Sequence, residues 1–129
     1  MLDANRRLAR AGARMSTQFT AVLDALTRQR GVRASMVVDA VDGIAIDSNL
    51  QFGQDGNRVA ALAGSLYRKA RQSAQAAGLG GTGFMQLEAD TGRLCILGGD
   101  TLVLVVVADR DANVGLIRME MRRAAESLT

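Results

Sequence analysis

The residues with chemical potential are few, and each sits in surroundings that argue against the chemistry it brings to mind. Gly78-Leu79-Gly80-Gly81-Thr82-Gly83 spells G-x-G-x-x-G. A dinucleotide fingerprint must follow a strand and open a helix, so that the helix N-terminus meets the phosphates. Here the preceding residues read as a helix and the following ones as a strand, so the segment is a glycine-rich connector. No G-x-x-x-x-G-K-[ST] occurs, so the chain carries no P-loop of its own. Asp39, Asp42 and Asp47 gather on one predicted hairpin. Acid–base work by paired carboxylates needs one member in an apolar pocket. Asp42 is better explained by its turn, and Asp39 and Asp47 by solvent-facing positions on an alternating strand. Cys95, within Leu94-Cys95-Ile96, reads as a small buried hydrophobe. The sequence has no histidine, which removes the usual general base, proton shuttle and transition-metal ligand. We therefore expect no catalytic residue, no cofactor and no metal, and hold an enzyme as the least favoured class.

Charge is the next source of chemistry. Residues 1–33 hold seven arginines against two aspartates, whereas the remainder holds nine basic and eleven acidic residues. The formal charge of +3 therefore belongs to one end, and the body is nearly neutral. With only Phe19, Phe52, Phe84 and Tyr67 as aromatics, stacking platforms for nucleic acid are not expected. The basic arm, residues 1–15, has Leu2, Leu8 and Met15 too sparsely placed for an apolar stripe. It reads as a solvated arm or a frayed extension of the first helix, with docking on an acidic partner as the alternative. No membrane insertion is expected, because the longest apolar run, Leu102 to Ala108, is far short of the roughly 20 residues needed to span a bilayer. No apolar segment follows the N-terminal arginines, so no secretory signal is expected. One cysteine cannot make an internal disulfide, and a reducing cytoplasm is the simplest compartment.

The elements that would position these residues read as one α/β (α+β) domain over residues 16–129, since 129 residues with 48% hydrophobic and 22% charged composition form a globular chain. Ser16 or Thr17 caps a first helix whose Phe19, Val22, Leu23 and Leu26 share one face, and Gly31 ends it. Ala34 to Val41 and Ile44 to Ile46 are strands joined at Asp42-Gly43, a type I′ hairpin signal. Asn49 to Gly56 reads as a loop. Asn57 caps a second helix with the stripe Val59, Leu62, Ala63, Leu66, Ala70, Ala74 and Ala77. Phe84 to Glu88, Leu94 to Leu97 and Thr101 to Ala108 are three strands of a meander. The last is continuously apolar, which predicts cover on both faces. Asp111 or Asn113 caps a final helix with Val114, Ile117, Met121, Ala124 or Ala125, and Leu128 inward. The order α-β-β-α-β-β-β-α gives a five-stranded antiparallel sheet with helices on both faces.

One feature of the second helix points to a second chain. From Val59 to Tyr67 there is no charged residue, and a helix apolar all round is buried on more than one side. Ala60 and Gly64 would let another backbone approach closely. Together with Leu66 and the edge of the third strand at Phe84 and Gln86, they form the expected homodimer interface. Gly64→Arg is then expected to weaken dimerisation or partner binding more than folding. Tyr67, Arg68 and Arg71 are the candidates for a further protein partner, since tyrosine and arginine are enriched at binding hot spots. The competing reading of Arg68 and Arg71 is that they keep the helix soluble.

From Ser16 to Leu128 the chain resembles the roadblock/dynein light chain family, with a roadblock/profilin-like fold, and within it the bacterial MglB-like members. The resemblance rests on Val37-Val38-Asp39-Ala40-Val41-Asp42-Gly43-Ile44-Ala45-Ile46-Asp47-Ser48, on Gly98-Gly99-Asp100 followed by Thr101 to Val107, and on Ala112-Asn113-Val114-Gly115-Leu116-Ile117-Arg118. It implies a homodimer, or a heterodimer with a relative, in which second helices and third strands of two protomers meet. It also implies a Ras-like small GTPase as partner, regulated by reshaping its switch regions, with no enzyme chemistry in the chain itself. Eukaryotic relatives are dynein light chains and scaffold subunits. A dimeric structural adaptor without effect on GTP turnover is therefore the alternative.

Overall fold

The structure, a computed structural model, describes residues 19–50 and 55–127. The basic arm, the Ser16 and Thr17 caps and Leu128 lie outside these residues.

A first helix, α1, covers residues 19–27. It is followed by β1 (Val32–Asp39), β2 (Ala45–Leu50), α2 (Gly56–Ala76), β3 (Phe84–Glu88), β4 (Gly92–Gly98), β5 (Leu102–Asp109) and α3 (Val114–Ser127). The strands form one antiparallel sheet in the order β2-β1-β5-β4-β3. The hairpin and the meander are thus joined through β1 and β5, and β2 and β3 are the two edges.

Alternation along β5 sorts the core into two halves. Leu104, Val106 and Ala108 face a cluster with Phe19, Val22, Leu23 and Leu26 of α1 and Ile117, Met121 and Ala124 of α3. Val103 and Val105 face Ala60, Ala63 and Tyr67 of α2. A strand covered on both faces needs no polar residue, which is why Leu102 to Ala108 reads as a continuous apolar run. Asn113 caps α3 as expected, its side-chain oxygen accepting from Leu116 N–H at 3.1 Å.

Several local expectations give way. The hairpin between β1 and β2 is not type I′. That turn needs positive φ at both central residues, and only Gly43 has it, at φ 67°. The connection is longer: Asp39 N–H donates to Ile44 O at 2.9 Å, and the Asp39 carboxylate accepts from the N–H groups of Val41 and Asp42 at 2.9 and 2.8 Å. Asn49 and Leu50 belong to β2 rather than to a loop. The register passes from Val37↔Asp47 to Val38↔Ala45, so Ile46 is an extra residue in a bulge. Ile44 precedes the strand, and the bulge explains how two consecutive apolar residues, Ala45 and Ile46, occur on a half-buried strand. The α2 N-cap is Asp55, which accepts from Arg58 N–H at 3.2 Å, and not Asn57, which lies inside the helix.

Two polar features pin the layers. Thr27 and Ser35 are buried, with their hydroxyls 2.9 Å apart and both donating to Leu23 O, so α1 is held on β1 without an unpaired group. A second bulge makes Arg33 extra in β1 against β5. It directs the guanidinium to Asp109 and to Thr91 O.

Cys95 is fully buried on β4. Burial pushes its thiol up from 9.0, partly offset by the Arg93 charge. A raised folded pKa adds stability that is fully present below the unfolded value of 9.0 and is lost as pH rises through the folded value. We predict that the unfolding free energy falls less steeply above pH 9 in Cys95→Ala than in the parent, measured by urea titration at each pH. Equal slopes would show that the thiol contributes nothing there.

Candidate protein interface

The second helix is the element on which the expected site residues converge, so its inward face decides what is left for partners. That face is Ala60, Ala63, Gly64 and Tyr67. Its small side chains let the helix lie close to the sheet and to the β1–β2 turn. A Cβ added to Gly64 would stand 3.0 Å from Gly43 Cα, and one added to Gly43 would stand 3.4 Å from Ala61 Cα. Tyr67 lies across β4: a Cβ at Gly98 would fall 2.0 Å from its ring. Its hydroxyl donates to Thr82 O at 3.0 Å.

Three residues expected to meet other chains are therefore inside this one. Ala60 is fully buried under the sheet, Gly64 abuts the hairpin and Tyr67 is 3% exposed. Their small size and the tyrosine ring serve a close contact, as anticipated, but within the protomer. Arg68 is next to this face, and its guanidinium donates to Val41 O at 3.0 Å and Ala40 O at 3.4 Å. It holds the hairpin and also keeps one side toward solvent. Arg71 is half-exposed, one turn beyond Tyr67.

The remaining apolar surface of α2 lies on one flank. At about 100° per residue, Leu66 and Leu62 stand roughly 110–150° around the helix from the buried face. Leu62 is 61% exposed, and Val59 and Leu66 only border the core. Leu66 and Met85 of β3 border the same half of the core. On β3, Met85 pairs with Ile96 and Leu87 with Leu94, which puts Met85 and Leu87 on the α2 side of the sheet. Leu87 is 48% exposed. Phe84 and Gln86 point to the opposite side. Phe84 is half-buried against the α1–α3 cluster, with the Arg118 guanidinium 4.9 Å over its ring, and Gln86 is exposed. Leu62, Met85 and Leu87 are thus interface candidates that the sequence reading did not select. A helix wheel centred on Ala60 rather than Leu62 would have found the first.

A concavity of about 740 Å³ lies at the far end of the sheet between the α1–β1 loop, the β3–β4 turn and the β5–α3 loop. It is lined by Arg30, Arg33 and Arg110 among others. Arg33 binds Asp109 and Thr91 O, Arg110 reaches Asp90 O at 3.5 Å, and neighbouring Arg93 donates to Arg110 O. These arginines tie three loops together. Among the described residues, no three histidine, cysteine or acidic side chains are grouped as a metal would require.

Two substitutions test this placement. Gly64→Arg should destabilise the fold by about 1–3 kcal/mol through overpacking at the hairpin, whereas the sequence led to the expectation that dimerisation or partner binding would suffer more than folding. Tyr67→Ala should cost about 3–5 kcal/mol and Tyr67→Phe about 0.5–1.5 kcal/mol. Urea midpoints measure all three, and parent-like values for Gly64→Arg and Tyr67→Ala would put these residues on the surface.

Comparison with known proteins places this architecture. The Roadblock/LC7 domain matches residues 18–108. The uncharacterized protein MJ0714 of Methanocaldococcus jannaschii is 36% identical over 107 residues, covering 83% of this chain and 90% of that protein. Among solved structures, Myxococcus xanthus MglB aligns with a TM-score of 0.80 at 27% identity, covering 88% of this chain and 86% of that one. A Roadblock/LC7 domain from Streptomyces avermitilis aligns with a TM-score of 0.76 at 22% identity, covering 83% and 91%, a likeness of fold. Element order, sheet topology and the length of the sequence match agree, and the chain belongs to the Roadblock/LC7 family.

Proposed function

We propose that the chain is a non-catalytic regulatory partner of a Ras-like small GTPase and acts as a homodimer in the cytoplasm. The observation that carries the dimer is that α2 keeps a surplus apolar flank and the sheet keeps an edge strand, β3, with apolar side chains on the α2 side. Leu62 and Leu87 are exposed, Leu66 and Met85 border the α2 half of the core, and β3 is an edge of the sheet. A second copy would cover both at once, and an uncovered edge of this kind is an aggregation liability. Leu62, Met85 and Leu87 replace Ala60 and Gly64 in this reading, Leu66 stays, and Phe84 and Gln86 contribute through the β3 backbone.

The GTPase part is supported by the likeness to Myxococcus xanthus MglB at 27% identity and by what the family resemblance implies. In this reading the chain supplies shape and contacts, and the chemistry belongs to the partner. Arg71 remains a candidate contact, whereas Arg68 acts first on its own hairpin. No helix among the described residues is long and apolar enough to cross a membrane.

Two outcomes are expected. Sedimentation at micromolar concentration should give a dimer, and Leu62→Arg with Leu87→Arg should give a folded monomer, since both side chains are exposed within the protomer. A monomeric parent protein would remove the dimer. Added to its candidate GTPase, the parent should change the rate of GTP hydrolysis or nucleotide exchange. Binding with both rates unchanged would identify a structural adaptor instead.

A further inference from the structure

We propose that the tip of the β1–β2 hairpin is a preformed docking knob, with Val41 and Ile44 entering an apolar cleft of the GTPase whose rim is basic. This rests on the GTPase reading above and assigns that partner to a surface separate from the dimer face. Val41 is 71% and Ile44 62% exposed. Two such side chains on a loose loop would be unremarkable, since single exposed apolar residues are normal. This turn is fixed from three directions.

From within, the Asp39 carboxylate holds the N–H groups of Val41 and Asp42, and Gly43 N–H donates to Asp39 O at 3.0 Å. From the helix, Arg68 holds the carbonyls of Ala40 and Val41. From below, Gly43 lies against Ala61 and Gly64, and a Cβ added to Gly64 would stand 3.0 Å from Gly43 Cα. Ala40 N–H also donates to Thr101 O at 2.9 Å, tying the turn to the β4–β5 turn. A segment ordered before binding loses little conformational freedom on docking. The charge around it selects the partner's rim. Asp39 and Asp42 are in this turn, Asp100 is on the neighbouring β4–β5 turn, and the guanidinium bound to the turn is that of Arg68. A cleft bordered by lysine or arginine complements this tip and an acidic one is repelled.

The knob and the dimer face are on opposite sides of α2, so a dimer can present both. Arg68 acts here as a positioning residue: it orders the backbone that carries Val41 and Ile44.

The test uses the full chain and the GTP-loaded candidate GTPase in a binding titration. Val41→Ser with Ile44→Ser should weaken binding by roughly tenfold or more, the size expected for losing apolar anchors. Asp42→Lys should weaken it too, and most at low salt. The dimer and the melting temperature should stay as in the parent for both variants. Parent-like affinity in the double serine variant would overturn the knob and leave the GTPase reading standing. No binding by the parent itself would overturn both. A double serine variant that loses the dimer along with the GTPase would also overturn the proposal, because the tip would then belong to the dimer face.

Discussion

The close approach of α2 to the sheet is the constraint from which the rest follows. It depends on side chains that are missing or small. Ala60 and Ala63 lie on β1 and β5 residues, Gly64 meets Gly43 backbone to backbone, and the Tyr67 ring takes the space above Gly98. Interiors are packed to crystal density, so a helix this close has one inward face and little freedom to roll. Once that face is set, the position of every other α2 residue is set with it. Leu62 and Leu66 go to the outer flank, and Arg68 goes to the hairpin.

The two sheet edges are then unlike. The β3 edge has apolar side chains beside it on the α2 side. The β2 edge is interrupted by the bulge at Ile46 and fastened to α1, with Thr20 donating to Asp47 at 3.1 Å and Asn49 to Asp24 at 2.7 Å. Bulges and polar side chains discourage pairing at an edge. This asymmetry is why the account assigns the second copy to β3 and leaves the hairpin end for a different partner. Among the described residues, Arg33, Arg68 and Arg93 bind carbonyls or carboxylates of this same chain.

Much of the fold was legible because it depends on pattern alone. The continuous run of β5 announces two covered faces, Asn113 announces the start of α3, and Phe84 to Glu88 is bounded by glycine and by a turn. The α2 contact was less legible. Alanine and leucine look alike in an apolar stripe, so the pattern placed Leu62 inward when packing selected Ala60. The role of Gly64 requires Gly43, and the role of Gly98 requires Tyr67, partners distant in sequence. Tyr67 reads as a partner contact because tyrosine is enriched at binding hot spots, and only the fold shows its ring over Gly98 and its hydroxyl on Thr82 O. Asp39 reads as solvent-facing because its bonds are to the backbone of the next three residues in a turn whose type the Asp-Gly signal misassigned. The candidate surfaces were legible as a helix and an edge, but not as the residues on them.

The central claim is that a second copy adds at β3 and nowhere else on the sheet. Hydrogen exchange measured across a dilution series addresses it amide by amide. The account predicts that protection within Phe84–Glu88 rises with protein concentration, along the same curve as dimer formation, while protection within Ala45–Leu50 stays constant. Concentration-dependent protection in β2, or none in β3, would contradict it.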